Sequence, residues 1–459
     1  MRPVPRRESP AWLEAVNPFG WLSRTVESFH PSAAPPLTRA NYRRELIAAF
    51  FLPWVLAIVE GGVIAVIVQK YFEGVVGRTA LDFAVATVTS APAFANITSF
   101  LWVRLTHGRH KVRSVNSLQA SLAALVGLIA LAPRSGLGLV IVVACTVAGR
   151  VCLAGVVTIR AGVWRQNYPR EVRARLTGRI ATVVAIVIGL VGTFVGLAME
   201  WQPWSFRALF PLAAVVSLVG VRVWGRVRMR GHGRLLQSER VRGREGPSFN
   251  PLMLGRVLAN DRRFAFFMLC QFAIGTGNMM LFAPIVLFST EYFELGYFQG
   301  ILVSNAVPIL MMPLFIGPWS RLLDAWHISK YRSVHSWVFV VMALLIFASA
   351  RLDALWLLYL GVAARGIAFA GGQLAWNLGH NDFATDENAS EYMAVHVTLT
   401  GIRGLLAPFV GVPLYRWFAE AGPAEGAWVF VVGAAIVAVG AVGFFAQHRV
   451  LGRRVTSNQ

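Results

Sequence analysis

Residues Val221 to Arg263 read VRVWGRVRMRGHGRLLQSERVRGREGPSFNPLMLGRVLANDRR. Arginine recurs at 222, 226, 228, 230, 234, 240, 242, 244, 256, 262 and 263, and only Glu239, Glu245 and Asp261 oppose it. Long apolar blocks flank the stretch on both sides. A dense arginine loop between membrane helices marks the cytoplasmic face. The loop also falls near the middle of the chain, and the two parts it separates resemble each other.

Outward from that loop, composition fixes the class. The 459 residues are 56% hydrophobic and only 14% charged. A soluble chain carries about a quarter charged residues. Apolar runs of roughly 20 residues recur throughout, the length a helix needs to cross a bilayer core. The formal charge of +21 does not mark a nucleic-acid binder, because the arginines cluster in loops where topology and anionic lipid explain them. Cys145, Cys152 and Cys270 lie inside apolar runs without CxxC spacing, so neither a disulfide framework nor a zinc site is expected. The first residues lack a short apolar core, so a cleavable leader is not expected either.

The hydropathy pattern predicts an all-α membrane protein with twelve transmembrane helices in two six-helix halves. The expected spans are 46–69, 80–103, 114–133, 137–161, 176–199, 204–226, 264–290, 296–318, 333–351, 354–377, 392–416 and 426–447. They divide the chain into a tail (1–40), a first half (41–226), a basic central loop (227–262) and a second half with a short tail (263–459). The tail places Trp12, Leu13, Val16, Phe19, Trp21, Leu22 and Phe29 among polar residues. Two readings stand open for it: a helix lying in the headgroup layer, or an unfolded tail. Basic residues fill the links after spans 2, 4, 6 and 8 and are sparse in the others, which puts both termini and the central loop in the cytoplasm. A bacterial inner membrane is the expected location.

An internal repeat carries the most specific information. Asn41-Tyr-Arg43-Arg44 matches Asn260-Asp-Arg262-Arg263, and Ala49-Phe50-Phe51 matches Ala265-Phe266-Phe267. Trp102-Val-Arg104-Leu105 matches Trp319-Ser-Arg321-Leu322, and Arg113-Ser114-Val115 matches Arg332-Ser333-Val334. Val147-Ala148-Gly149-Arg150 matches Val362-Ala363-Ala364-Arg365, and Leu176-Thr177-Gly178 matches Leu399-Thr400-Gly401. All six matches keep their order at shifts between 215 and 223 residues. Two parallel halves joined by a cytoplasmic loop are the layout of a secondary transporter that rocks about a midplane site.

On these residues the chain resembles the major facilitator superfamily over roughly 41–450. That family carries a Gly-x-x-x-Asp-Arg-x-Gly-Arg-Lys type loop after spans 2 and 8. Here Leu101 to Lys111 keeps Arg104, Gly108 and Arg109 but has no acid, while Trp319-Ser-Arg321-Leu-Leu-Asp324 keeps the acid and lacks the glycine. The resemblance implies that these residues, with Arg173 in the span 4–5 link, act in gating. Arg150 and Gly155 resemble the family's arginine-then-glycine pattern in span 4, at a spacing one residue longer. The glycine-proline pattern of antiporters is missing from span 5, which weighs against proton-driven efflux.

Glu60 falls near the middle of span 1. An ionisable group there is costly and marks function by default. Arg150 lies at mid-depth in span 4 of the same half, so the two are expected to pair and to serve proton coupling. Some sugar symporters of the family resemble this arrangement. The bland reading is a permanent structural ion pair. Arg365, the repeat mate of Arg150, has no acid near it in its own half; it suits an anionic substrate, or it bonds backbone carbonyls and does nothing more. Gln271, Asn278, Asn305, Gln373, Trp376 and Asn377 are cavity candidates, although polar residues also hold membrane helices together.

Between His380 and Glu391 lies an acidic stretch on an otherwise basic face. Asp386 and Glu387 are expected to pair with basic loops as a gate. His380 and Asp382 lack metal-ligand spacing such as HExxH, so no metal is expected. No cofactor is expected, since a GxxxxGK[ST] phosphate loop is missing. The sequence therefore points to a non-enzyme: a carrier of a small solute, with a proton or another ion as coupling partner. It would be embedded in lipid as a monomer and carry out transmembrane transport by symport. A polytopic acyl or glycosyl transferase using His380 or Asp382, and a sensor or scaffold on the same fold, are the rival classes. The repeat argues against the transferase, which needs no two-fold halves.

Overall fold

The computed structural model describes residues 27–241, 251–384 and 389–457. Most of the aromatic tail, together with Asp386 and Glu387, lies outside the described residues.

The fold is all helical, with twelve spans. Among the described residues eleven helices are long and apolar enough to cross a membrane, and the shorter Gly61–Phe72 completes span 1. Span 1 comprises Arg39–Phe51, Pro53–Ile58 and Gly61–Phe72; span 2 comprises Arg78–Ile97 and Ser99–Thr106. Spans 3 to 6 are Lys111–Ile129, Gly136–Asn167, Arg170–Trp201 and Phe206–Trp224. Two helices, His232–Val241 and Pro251–Asn260, form the linker. Span 7 joins Arg262–Met279 to Phe282–Glu291, and span 8 runs Tyr297–Ile301, Leu302–Ala306 and Val307–Ala325. Span 9 is Ile328–His335 with Trp337–Arg351; spans 10 to 12 are Leu355–Leu378, Ala389–Ala419 and Trp428–Ser457.

Spans 1 and 7 are interrupted at corresponding places. In span 1 the helix stops before Glu60, whose backbone is extended at φ −65° and ψ 127°. Two glycines follow, and glycine is a poor helix residue. In span 7 the interruption falls at Met280–Leu281. Broken backbone at membrane depth must find partners within the protein. Ser304 Oγ does this for span 1, donating to the Gly62 carbonyl at 3.1 Å. Ser304 belongs to a π-helical turn, Leu302–Ala306, in span 8. Such turns gather at functional sites.

The repeat seen in sequence is also a repeat of contacts. Trp102 Nε1 donates to the Val151 carbonyl of span 4 at 3.0 Å, and Trp319 Nε1 donates to the Ile367 carbonyl of span 10 at 3.0 Å. Each half thus ties the end of its second helix to its fourth in the same way. Spans 2 and 11 and spans 5 and 8 pack across the interface between the halves, with span 1 against spans 7 and 8. The outer surfaces carry exposed apolar side chains such as Leu131, Val140, Leu212, Trp356 and Val439, as a lipid-facing belt requires.

Span 1 and span 8 touch backbone to backbone at Gly62. A Cβ there would lie 2.6 Å from the Ser304 carbonyl oxygen, whereas one at Gly61 would meet nothing closer than 3.4 Å. Gly62→Ala is therefore expected to destabilise the packed halves by about 1–3 kcal/mol, the usual cost of overpacking. Gly61→Ala should cost clearly less. Thermal unfolding of the purified protein in detergent reads both.

Candidate substrate and coupling site

Glu60 sits at the N-terminal end of Gly61–Phe72. Arg150 Nη1 in span 4 donates to Glu60 Oε2 at 2.9 Å. The arginine side chain is 11% exposed and the carboxylate 28% exposed. The pair is thus largely withdrawn from solvent, with the acid the more open member.

Arg365 approaches the same place from span 10. Its Nη1 donates to the Ser304 carbonyl at 3.3 Å, on the serine whose hydroxyl holds Gly62. Its guanidinium lies over the rings of Phe282 at 4.6 Å and Phe369 at 4.9 Å, a cation–π arrangement. Its Nε has no partner. The charge that acts on Arg365 is that of Glu60. Two repeat-mate arginines, one from each half, therefore flank the contact between spans 1 and 8: Arg150 paired with Glu60 and Arg365 bonded to the Ser304 carbonyl.

Beside this junction lies a cavity of about 220 Å³, walled by Gln271, Asn278, Gln373 and Trp376 with Asn96, Thr400, Arg332 and Arg403. Four of the sequence candidates thus come together. Asn305 lies elsewhere, with its Nδ2 against Gly192 of span 5. Asn377 is exposed and bonds the Gln373 carbonyl at 2.7 Å. Arg365 reaches the cavity through Phe282 and Phe369, which it covers.

Arg403 and Arg332 were not legible as cavity residues. Arg332 was expected in the link before span 9, but that helix begins at Ile328 and carries Arg332 inward. Arg403 sits unannounced in the apolar run of span 11; an arginine between glycines at mid-span was the available signal.

At the end of the molecule away from the linker, one arginine clamps the halves. Arg416 of span 11 grips Asp82 of span 2 through Nε to Oδ2 at 2.6 Å and Nη2 to Oδ1 at 2.5 Å. It grips Glu291 of span 7 through Nη1 to Oε2 at 2.5 Å and Nη2 to Oε1 at 2.7 Å. Gln69 and Arg78 of the first half also reach Glu291, at 3.1 and 3.5 Å. Lys70 Nζ donates to the Leu295 carbonyl at 3.0 Å, and the Phe298 N–H donates to Glu200 at 3.1 Å. Among the described residues, every ion pair that joins one six-helix half to the other lies at this end.

The linker end is arranged differently. Gly108, at φ +67°, holds a left-handed turn that suits glycine. Its N–H donates to Glu239 Oε2 at 2.7 Å, and Lys111 Nζ donates to the same oxygen at 2.8 Å. Burial opposes ionisation of Glu239, but these two donors outweigh it and hold its carboxyl below the usual range. The loop after span 2 therefore grips the linker helix. Arg104, Arg109, Arg321 and Asp324 are exposed, and none joins an ion pair among the described residues. Arg173 bonds the carbonyls of Tyr168 and Arg165 and closes its own link. Asp382 Oδ2 accepts from the Ile328 N–H at 2.7 Å and caps span 9. Burial pushes His380 below the ordinary histidine range.

The comparisons agree with this architecture. The family model described as Major Facilitator Superfamily matches residues 46–408. A mutant of the nucleoside transporter NupG superposes with TM-score 0.65 at 12% identity, covering 88% of this chain and 99% of that one. A D-xylose–proton symporter does so with TM-score 0.65 at 12% identity, covering 88% and 96%. The inward-open xylose transporter XylE from E. coli gives TM-score 0.59 at 12% identity, covering 88% and 94%. These likenesses show a shared fold. No curated protein sequence matches. With the family model spanning most of the chain, two six-helix halves and a midplane junction between them, the protein belongs to the Major Facilitator Superfamily and is a secondary transporter that works by alternating access.

Proposed function

We propose that this carrier couples the movement of a small solute to a proton taken up at Glu60, in the direction of import. One observation supports this above the others: the Glu60–Arg150 pair sits where span 1 is broken, against span 8 of the other half. A carboxylate at that depth ionises only beside a cation, and loses that support if the pair separates. Rocking of the halves moves span 8, with the Ser304 and Arg365 contacts beside the pair, relative to Glu60, so the cycle changes the surroundings of the acid and can load and unload the proton. The likeness to a D-xylose–proton symporter is compatible with symport, and span 5 lacks the proline of the antiporter pattern.

The linker end is read as cytoplasmic, from its arginines. On that reading the clamped end faces outward and the state is inward-facing. In a background lacking Cys145, Cys152 and Cys270, external thiol reagent is expected to label a cysteine at Arg207 and to miss one at Ser238. The opposite pattern inverts the topology. Uptake by proteoliposomes, with a solute panel and with or without an imposed pH gradient, tests the coupling. Uptake indifferent to the gradient would remove the proton.

A further inference from the structure

The cavity in the second half holds more positive charge than the described chain neutralises. Arg403 is 3% exposed and Arg332 is 2% exposed. Arg403 Nη1 donates to the Gln271 carbonyl, and Nη2 donates to Thr400 Oγ1 at 3.2 Å. Among the described residues, Arg332 hydrogen-bonds only toward the ring of His335, at 3.5 Å. The Nε of each arginine has no partner among the described residues. His396, fully buried, lies within their field with neither ring nitrogen bonded. Among the described residues no carboxylate pairs with either arginine.

Three other arginines show the contrast. Arg150 has Glu60, Arg416 has Asp82 and Glu291, and buried Arg160 has the field of Glu45. Two neighbouring guanidiniums withdrawn from water without an anion are costly to hold. Such a pair persists where a ligand brings the missing charge. The planar fork of arginine matches carboxylate and phosphate oxygens two at a time. Phe282, Phe339, Phe369 and Trp376 give the cavity an aromatic wall beside the amides already named. Asn96 brings span 2 of the other half into the lining, so motion between the halves alters access to it.

We propose that this cavity binds a small organic anion, its carboxylate or phosphate head held by Arg403 and Arg332 and its apolar body against the aromatic wall. The proposal rests on the carrier reading and names the class of solute carried.

The test uses the purified full chain in detergent, at constant ionic strength set with sodium chloride. Melting is followed with benzoate, hexanoate, phenyl phosphate and inorganic phosphate, and with neutral benzamide and hexanamide. At least one organic anion is expected to raise the melting temperature by several degrees, as binding to the folded state does. Its neutral partner should not. Which head group works separates carboxylate from phosphate. Arg403→Gln should weaken the apparent affinity about tenfold or more, and Arg403→Lys should weaken it less. In wild-type protein, which needs no variant to fold, anions that do no better than their neutral partners overturn the proposal. Neutral solutes that move with protons, while anions do not bind, would remove this inference and leave proton coupling intact. An anion that binds and moves without protons would do the reverse.

Discussion

Glu60→Gln is expected to abolish accumulation of solute against a gradient while leaving exchange across the membrane largely intact. The substitution keeps the size and one oxygen acceptor of the side chain and removes its proton chemistry. Arg150 loses its ion pair at 2.9 Å but keeps a neutral acceptor, which spares the fold. A carrier with one proton per solute sustains about a tenfold solute gradient for each unit of pH difference, since a unit is worth about 1.4 kcal/mol. In the Glu60→Gln variant that gradient should vanish. Counterflow needs no net proton movement and should continue. Arg150→Ala should act differently: it removes the ion-pair partner of the acid, so the pH dependence of transport should differ from that of the wild type. Counterflow and gradient-driven uptake, measured in the same vesicles, separate these outcomes. Full accumulation by the Glu60→Gln variant would make the pair structural.

The second large effect is expected at Arg416. This side chain is 17% exposed and neutralises Asp82 and Glu291, which are 12% and 19% exposed. Arg416→Ala leaves two carboxylates close together without their shared cation. Breaking such a pair by removing one partner costs about 3–5 kcal/mol. The loss falls on the clamped state alone, because an open far end lets both acids hydrate. About 5.5 kcal/mol carries a two-state equilibrium from 1:99 to 99:1, so Arg416→Ala should turn the population largely toward the state open at this end. Spin labels at Thr79 and Glu420, exposed positions flanking the clamp, should show a longer distance in the variant. An unchanged distribution would mean that apolar packing such as Phe83 on Phe409 closes the end without help from the ions.

Sequence alone carried the fold because the forces behind it are local and periodic. Apolar runs of bilayer length, arginine-rich links and a repeat read as symmetry all survive without coordinates. Trp102 and Trp319 show how far that extends, since two matching sequence contexts make the same contact in each half. The Glu60–Arg150 contact was legible for a related reason: each is a charged group at mid-span in one half, and such groups seek each other.

The rest depended on distance along the chain and on where helices end. Arg416 and Asp82 are 334 residues apart, and each stands near the end of an apolar run. Such a charge reads as ordinary flanking polarity until the far end is assembled. Arg332 was hidden by a misplaced helix boundary, since span 9 begins at Ile328 and not at Ser333. The family loop after span 2 pointed to a gate, yet Gly108 and Lys111 close on Glu239, while Arg104 and Arg109 stay exposed. Charge signs alone do not select among the many linker arginines and the acids near them. Asp386 and Glu387 lie outside the described residues, so their pairing with the basic links stands as a proposal.

Proton movement in step with solute movement tests the central claim most directly. Proteoliposomes loaded with a pH-sensitive dye, with no imposed pH gradient, receive an inward gradient of a transported solute. Symport at Glu60 predicts acidification of the lumen that follows solute entry and is lost in Glu60→Gln, although solute still exchanges. Solute entry at the wild-type rate with no change in luminal pH would contradict it.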